Sequence, residues 1–347
     1  MKHSALERES RFIEMIRTCR PDMSKAHQSF CDKYLTPFFG KPDLTGNYFL
    51  TIGQNPRVMF AAHSDTVHHV GGLQKIHIAG DIVKLHSKSK SNCLGADCTA
   101  GIHIILEMIR ANIPGAYAIF AAEEIGCIGS SDFVKRRIGE TMGIDFVISL
   151  DRKGYDSIIT HQMGRRIASD TFAKSLAGIL DLPLKADPSG AYTDSNEFRN
   201  HISECTNLSV GYFGQHTSAE YQDLSFLEKL VNRMINADWS QLIAARDCKA
   251  LEFETIGAHW SKYQKMKKPK SGVSNDSVLN FRAAYLNSKS DIPAYDAWDI
   301  QEMSMRDLVK QYPHAIADWL EDQGMNVDSM CDDLGIANIG RGSNYCG

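Results

Sequence analysis

The sequence predicts an α/β protein with an open, mostly parallel sheet. Short apolar runs at 116–122, 145–151 and 207–212 either end on a polar residue or are followed by polar residues. Apolar runs of this length are typical of parallel strands buried on both faces. A segment before the first of these runs, 102–109, has apolar residues at helical spacing. Because open α/β sheets bind ligands beyond the carboxyl ends of their strands, the polar residues at these ends are candidates for a functional site.

The other elements are predicted from the same patterns. Residues 5–19 and 23–34 have apolar positions at helical spacing and are expected to form two helices. The runs at 47–52 and 57–62 flank a turn composition at 53–56, so they are expected to form a β-hairpin. Further along the chain we expect a helix near 131–138, a strand over 157–162 and a helix over 170–180.

Length and composition predict a large globular domain with an appendage. The chain has 347 residues, of which 43% are hydrophobic and 23% are charged. We expect a catalytic domain over 1–250, followed over 251–347 by a lysine-rich linker and a small, mainly helical C-terminal appendage. The formal net charge of −4 provides no basic surface for a nucleic acid, so no nucleic-acid partner is expected.

Targeting and redox signals favour a cytoplasmic protein. The N-terminal stretch has no continuous apolar core, so no signal peptide is expected. No run approaches the ~20 apolar residues of a membrane span, so no membrane partner is expected. The nine cysteines have no regular spacing and are expected to be reduced thiols.

A histidine follows the apolar run at 57–62. His63 is followed two residues later by Asp65, a common pairing of a metal ligand with the carboxylate that accepts a hydrogen bond from its other ring nitrogen. By itself the pair fits a surface turn better than a metal site, because His and Asp are ordinary loop residues. The next histidines, His68 and His69, are expected to be exposed loop residues.

Two adjacent carboxylates follow the most apolar run of the chain. Glu123 and Glu124 come directly after 116–122, where carboxylates are costly unless a cation receives them. Adjacent side chains of an extended segment point to opposite sides. One of the two can therefore bind a metal while the other acts as a base.

Three further residues stand at comparable positions. Asp97 lies where a loop enters the helix at 102–109, a place where Asp is also a common N-cap. Asp151 ends the run at 145–151, and His216 follows the run at 207–212. Each residue alone fits a turn or a cap, but together with His63 and the glutamate pair they predict one site at the strand ends.

The ordered set of motifs resembles a known family. Over about residues 45–245 the chain contains, in this order, His-x-Asp, Gly-Ala-Asp-x-x-x-Gly, Glu-Glu, Asp and His. This ordered set resembles the co-catalytic dizinc exopeptidases. Within that family it looks most like the unlidded aminopeptidase branch. The resemblance implies a three-layer α/β/α fold with a central mixed, mostly parallel sheet. It also implies two Zn²⁺ ions, for which Co²⁺ or Mn²⁺ can substitute.

The resemblance also implies a role for each motif residue. His63 and Asp151 would bind one ion, Glu124 and His216 the other, and Asp97 would bridge the two. Glu123 would be the general base and Asp65 the carboxylate that orients a ligand. The sequence departs from the family at Cys98, where a second Asp often follows the bridging one.

Substrate class is inferred from what the chain lacks. The interval between Asp151 and His216 is too short for the lid that holds a substrate carboxylate in the carboxypeptidase-type members. A free amino end is therefore the expected handle, with Asp194 and Glu220 as candidates to pair with its ammonium group. Tyr192 is a candidate to donate a hydrogen bond to the oxyanion, although a structural role fits it equally well.

The sequence thus predicts an aminopeptidase acting on short peptides, with deacylation of N-acyl amino acids or of small-molecule amides as the alternative. A related scaffold performs glutaminyl cyclisation with one zinc ion, and non-catalytic relatives lose ligands or the base. Both of these readings expect a reduced set of residues, whereas the full set is present here.

Overall fold

The computed structural model describes residues 4–249. The appendage expected at 251–347 lies outside the described residues, and its assignment stays a prediction. The helices are α1 (Ala5–Met15), α2 (Lys25–Tyr34), α3 (Thr36–Phe39), α4 (Ala96–Arg110), α5 (Ile128–Arg137), α6 (Asp170–Leu180) and α7 (Leu224–Asn236). The strands are β1 (Thr18–Cys19), β2 (Tyr48–Ile52), β3 (Val58–His63), β4 (Gly72–Leu73), β5 (Ile76–Ala79), β6 (Ile82–Leu85), β7 (Gly115–Phe120), β8 (Phe146–Arg152), β9 (Ser157–Ile159), β10 (His161–Gln162), β11 (Arg165–Arg166), β12 (Lys185–Asp187), β13 (Glu204–Ser209), β14 (Tyr212–Phe213) and β15 (Tyr221–Asp223).

The central sheet is mixed and mostly parallel, as predicted. Its strand order is β12-β9-β13-β8-β3-β7-β2. The four strands β13, β8, β3 and β7 are neighbours and all run parallel. Antiparallel pairing occurs where β2 meets β7 and where β9 meets β13. The carboxyl ends of four adjacent strands therefore meet at one edge of the sheet.

The predicted β2–β3 hairpin is wrong. β2 pairs with β7 at the edge of the sheet, and β3 lies between β7 and β8. The reason is the apolar content of β3, all of whose residues are buried. A strand that is apolar on both faces is most stable in the middle of a sheet, where both faces are covered.

Both faces of the sheet carry a hydrophobic core. Along β3, Val58 and Phe60 pack into one core, whereas Met59 and Ala61 pack into the other, as the alternation of side chains along a strand requires. Residues of α1, α4, α6 and α7 build the first core, and residues of α5 and of the 3-10 helix Asp194–Phe198 contribute to the second. This is a layered α/β fold with the sheet in the middle.

Local signals explain most helix boundaries. Ser4 and Glu7 form a capping box at the start of α1. This helix ends at Met15 rather than at 19 because β1 pairs with β4. The helix over 170–180 is confirmed as α6. By contrast, α7 was not predicted, although its buried residues (Leu224, Leu227, Leu230, Val231, Met234) follow helical spacing.

A second, antiparallel sheet has the order β14-β15-β6-β5. The strand expected over 207–212 is in fact two strands, because the chain leaves the central sheet after Ser209 and enters the second sheet at Tyr212. Between them Gly211 has a φ of +90°, and a Cβ there would lie 2.5 Å from the Phe226 ring. Among residues 4–249, no helix is long and apolar enough to span a membrane.

Candidate metal centre

Three of the predicted site residues meet at the ends of neighbouring parallel strands. His63 is the last residue of β3, Asp151 lies near the end of β8, and Glu123 is in the turn after β7. The Nε2 atom of His63 lies 3.4 Å from Asp151 Oδ1 and 4.0 Å from Glu123 Oε2. These residues lie close together, as predicted from their positions at strand ends, because β7, β3 and β8 are neighbours in the sheet.

Asp97 lies between the two histidines. It is in the first turn of α4, where its own backbone is not helical, and the N-cap position belongs to Gly95, which has a φ of +75°. Asp97 Oδ1 is 2.9 Å from His63 Nε2, and Asp97 Oδ2 is 3.3 Å from His216 Nε2. One carboxylate thus contacts both imidazoles through different oxygens, which is the arrangement a bridging ligand needs.

His216 reaches the centre from the second sheet. It lies in the loop between β14 and β15 with a φ of +64°, and its Nε2 is 3.1 Å from Glu124 Oε2. Its side chain is 44% exposed, compared with 8% for Glu124. The other oxygen of Glu124 is buried and has no hydrogen-bond partner among the described residues.

These donors fit a divalent cation. His63, Asp97 and Glu124 place one ligand atom each within 4.8 Å of one another. Burial and the neighbouring Asp97 carboxylate raise the pKa of Glu124 to about 7 and that of Asp151 to about 6. Buried carboxylates that cannot all be ionised together are stabilised when cations bind between them, and a set of imidazole and carboxylate donors suits zinc.

Cys98 is the residue at which the sequence departs from the family pattern. One atom each of His63, Cys98 and Asp151 lie within the same 4.8 Å limit. The thiol, however, donates a hydrogen bond to the carbonyl oxygen of Leu150 at 3.3 Å, and Gly101 packs against it, because a Cβ there would lie 2.7 Å from the sulfur. The side chain is therefore packed between α4 and β8.

Asp65 connects the ligands to the glutamate pair. Its Oδ1 lies 3.5 Å from His63 Nδ1 and accepts a hydrogen bond from the Glu123 amide at 3.1 Å, while its Oδ2 accepts one from the Glu124 amide at 3.2 Å. The expectation that an extended strand separates the two glutamates is wrong. β7 ends at Phe120, and Ala122 has a φ of +57°, so a turn held by Asp65 separates them.

Glu123 is enclosed beside the ligands. Its side chain is 11% exposed, and the Cys127 thiol lies 3.7 Å from its Oε1 in hydrogen-bonding geometry. Burial raises the pKa of the Glu123 carboxyl well above its ordinary value. The carboxylate faces His63 Nε2 at a longer distance than Asp97 and Asp151 do.

Three residues that sequence reasoning missed hold Asp151. Thr193 Oγ1 donates to Asp151 Oδ2 at 3.0 Å, and the Tyr212 hydroxyl donates to the Asp151 carbonyl oxygen at 2.8 Å. The Asn207 amide accepts from the Asp151 N–H at 3.0 Å and donates to its carbonyl oxygen at 3.1 Å. In the sequence Thr193 adjoins a candidate residue, but nothing there pairs it or the others with Asp151.

Gly101 allows α4 to approach the sheet. A Cβ at this position would lie 2.1 Å from the carbonyl oxygen of Leu150 and 3.1 Å from the Cβ of Ala62. Contacts this short with backbone cannot be relieved by a side-chain rotation. The glycine of the Gly-Ala-Asp-x-x-x-Gly motif is therefore needed where the helix that begins beside Asp97 crosses β3 and β8.

The predicted substrate residue Glu220 has another task. Its side chain is fully buried, and it accepts hydrogen bonds from four successive backbone N–H groups, those of residues 94–97, at 2.8–3.2 Å. Both oxygens are occupied, so the expectation that Glu220 pairs with a substrate ammonium does not fit the structure. It holds the loop that presents Asp97.

The other two candidates differ from each other. The Tyr192 hydroxyl donates its hydrogen bond to the carboxylate of Glu197 rather than to a position that a substrate could occupy. Asp194 is 2% exposed, and its Oδ1 has no hydrogen-bond partner among the described residues. Burial raises its pKa to about 8.

His68, in the segment after β3, was expected to be exposed but is 4% exposed, since Thr66 and Gln74 hydrogen-bond its ring.

Part of the sequence and the fold are similar to those of known peptidases. Residues 47–181 match the model of peptidase family M28. The crystal structure of aminopeptidase PepT from Bacillus cereus has a TM-score of 0.55 and 16% identity, with 68% of this chain and 99% of that chain covered. That of a tripeptidase from Staphylococcus aureus has a TM-score of 0.53 and 14% identity, with 68% and 98% covered.

No protein with a curated function matches the sequence. At these identities the two crystal structures support the fold, and the family match covers part of the chain. Residues 47–181 are thus similar to peptidase family M28, in keeping with the resemblance that the sequence motifs carry.

Proposed function

We propose that this protein is an aminopeptidase that removes residues from short peptides at a dinuclear zinc centre. The observation that carries the proposal is the position of Asp97, whose two oxygens lie 2.9 Å from His63 Nε2 and 3.3 Å from His216 Nε2. Each imidazole also lies close to a carboxylate of its own, Asp151 or Glu124. The donors therefore form two half-sites that share one residue.

The proposed chemistry divides between the ions and the side chains. His63, Asp97, Glu124, Asp151 and His216 would hold the zinc ions, which would supply an acidic water molecule as the nucleophile and polarise the scissile carbonyl group. Glu123 takes the proton of the attacking water and delivers it to the leaving amine. Asp65 fixes the base relative to its neighbour, since it accepts hydrogen bonds from both the Glu123 and Glu124 amides.

Asp194 is the proposed partner of the substrate's ammonium group. It is buried, its Oδ1 has no partner among residues 4–249, and it interacts electrostatically with His63 and Asp151. A buried carboxylate oxygen without a donor is costly, and a substrate ammonium would satisfy it. The same contact would position the first peptide bond of the substrate beside Glu123.

The test compares dipeptide pairs with free and acetylated N-termini, using zinc-loaded protein. We expect hydrolysis of the free dipeptides only, and we expect Asp194→Asn to raise KM for them. The exposed Asp170, whose side chain is 74% accessible, gives the control variant Asp170→Asn, which should leave KM unchanged. Faster turnover of the acetylated member would replace the aminopeptidase assignment with the deacylase alternative. Hydrolysis of neither would contradict both.

A further inference from the structure

Arg20 is an anomaly in the described part of the chain. Its side chain is fully buried, and among residues 4–249 no carboxylate lies within ion-pair distance of it. Its Nε donates to the carbonyl oxygen of Ser64 at 2.7 Å and its guanidinium stacks on Phe30 at 4.2 Å, but both terminal nitrogens have no acceptor. A buried charge without a partner costs several kcal/mol or more, so a compensating interaction is expected.

The contacts of Arg20 enclose the segment that carries Asp65. The Arg20 side chain binds Ser64, as described, and its backbone pairs with Thr66, whose amide donates to the Arg20 carbonyl oxygen at 3.2 Å. The Arg20 amide in turn approaches Thr66 Oγ1 at 3.4 Å. Arg20 thus holds the residues on both sides of Asp65, and its charge interacts with the Asp65 carboxylate.

Asp65 belongs to a dense group of buried carboxylates. Little positive charge faces this group from the side of Arg20, because burial lowers the pKa of both His27 and His68 and keeps these rings neutral at pH 7. The carboxylates concerned are Asp65, Asp97, Glu123, Glu124, Asp151, Asp194 and Glu220.

We propose that Arg20 is a built-in countercharge of this acidic centre in addition to His63 and His216, a positioning residue that keeps the carboxylates and the Asp65 segment in place before the metal ions bind. Its attraction to the carboxylates is largest when no cation is present. Once divalent cations occupy the centre, the carboxylates are neutralised and the arginine charge is repelled by the ions. The charge of Arg20 therefore stabilises the metal-free protein more than the metal-loaded protein.

This difference predicts the direction in which zinc affinity changes when the charge of Arg20 is removed, which a purely structural role does not. Loss of the positive charge should tighten zinc binding to the folded protein, because the same charge that stabilises the empty centre opposes the ions. An interaction large enough to shift a pKa by one unit changes an equilibrium constant about tenfold. We expect Arg20→Gln to bind zinc at least ~10-fold more tightly than the wild type.

The experiment measures zinc affinity by competition with a chelator at pH 8, where protons compete weakly for the carboxylates, and unfolding in urea with and without zinc. Arg20→Gln keeps a hydrogen-bond donor without the charge, whereas Arg20→Lys keeps the charge without the planar guanidinium. We expect Arg20→Gln to lose more stability in the metal-free state than in the loaded state. Arg20→Lys should lose equal amounts in both states and keep the wild-type zinc affinity.

Arg11→Gln is the matched control, because Arg11 pairs with Glu107 at 2.8 Å, away from the strand ends. It should destabilise both states equally. If Arg20→Gln folds only with zinc, the proposal is supported. If Arg20→Gln folds in neither state, the test depends on Arg20→Lys. The proposal would be overturned if zinc stabilised the lysine variant by a different amount from the wild type. A zinc affinity of folded Arg20→Gln that is weaker than, or within ~10-fold of, the wild type would also overturn it.

Discussion

The two histidines of the centre are held in very different ways. His63 ends β3 in the middle of the central sheet, is 1% exposed and lies within 4.0 Å of Asp65, Asp97, Glu123 and Asp151. His216 lies on a loop of the second sheet, is 44% exposed and contacts only Asp97 and Glu124 among the described carboxylates at that distance. One half of the centre is built into the core, and the other is closed by a surface loop.

The two halves of the centre are assembled by different interactions. The His63 half is fixed by the order of the parallel strands and by the hydrogen bonds to Asp151 from Thr193, Tyr212 and Asn207. The His216 half depends on a loop that must order itself around the ion, and ordering costs conformational entropy. We therefore expect the two half-sites to bind zinc with different affinities, the His63 half more tightly.

Asp97 is the only described carboxylate that contacts both halves, so its loss should have the largest effect. We expect Asp97→Ala to lower the zinc content from two ions to none and to abolish peptidase activity. Elemental analysis of dialysed protein measures the zinc content, and Asp170→Ala is the control. Retention of one ion at full occupancy would break the comparison, because the two halves would then be independent.

Glu123 tests whether base and ligand are separate residues. Glu123→Gln keeps the shape and should retain both ions, while kcat falls by ~10²–10⁴-fold, the usual contribution of a positioned general base. Steady-state kinetics and metal analysis of the same preparation measure both quantities. Loss of an ion in this variant would instead exchange the roles of Glu123 and Glu124.

The stability of the metal-free protein should distinguish the two histidines. In the buried half, His63→Ala leaves Asp97 and Asp151 without their partner, and breaking a buried ion pair costs about 3–5 kcal/mol of unfolding free energy. In the exposed half, His216→Ala should cost less than about 1 kcal/mol, since solvent screens the pair. Urea unfolding at pH 7 in the presence of a chelator measures both values. Equal losses would show that the halves are not held differently.

The buried side of the site should also respond to acid. The His68 ring packs beside the segment that follows β3, and its burial lowers the pKa of this histidine from its ordinary value of 6.5 to about 4. Between these values the unfolded chain binds a proton that the folded protein does not. The free energy of unfolding should therefore fall by up to about 3 kcal/mol as the pH falls from 6.5 to 4.

The matched variant for this prediction is His68→Gln, which keeps a polar group for Thr66 and Gln74 but does not titrate. Its unfolding free energy, measured in urea at several pH values, should decline less steeply than that of the wild type over this range. An identical pH dependence in both proteins would contradict the assignment of a buried neutral His68.

The same contrast explains what the sequence could reveal. The His63 half was predictable because apolar runs identify parallel strands, and such strands bring their end residues together. The support of Asp151 by Thr193, Tyr212 and Asn207 was not predictable, because those contacts cross from other elements. Nor was the use of Glu220, since a carboxylate in a loop has the same sequence signal whether it binds a ligand or backbone amides.

Errors in the fold have a related cause. A turn composition at 53–56 predicted a hairpin, but pairing is decided by which strands need both faces covered, and β3 does. Likewise the separation of Glu123 from Glu124 was ascribed to an extended strand, although the positive φ of Ala122 and the bonds to Asp65 produce it. Both residues adjoin the candidate centre, but the geometry that separates them is a turn rather than an extended strand.

The measurement that tests the central claim most directly is a zinc titration of the metal-free protein, followed by calorimetry and by elemental analysis of the loaded product. Two half-sites that share Asp97 predict two ions per chain, bound in two steps of different affinity. In His216→Ala the weaker step should disappear while the tighter one remains. A single ion per fully loaded wild-type chain, or loss of the tighter step in His216→Ala, would contradict the account.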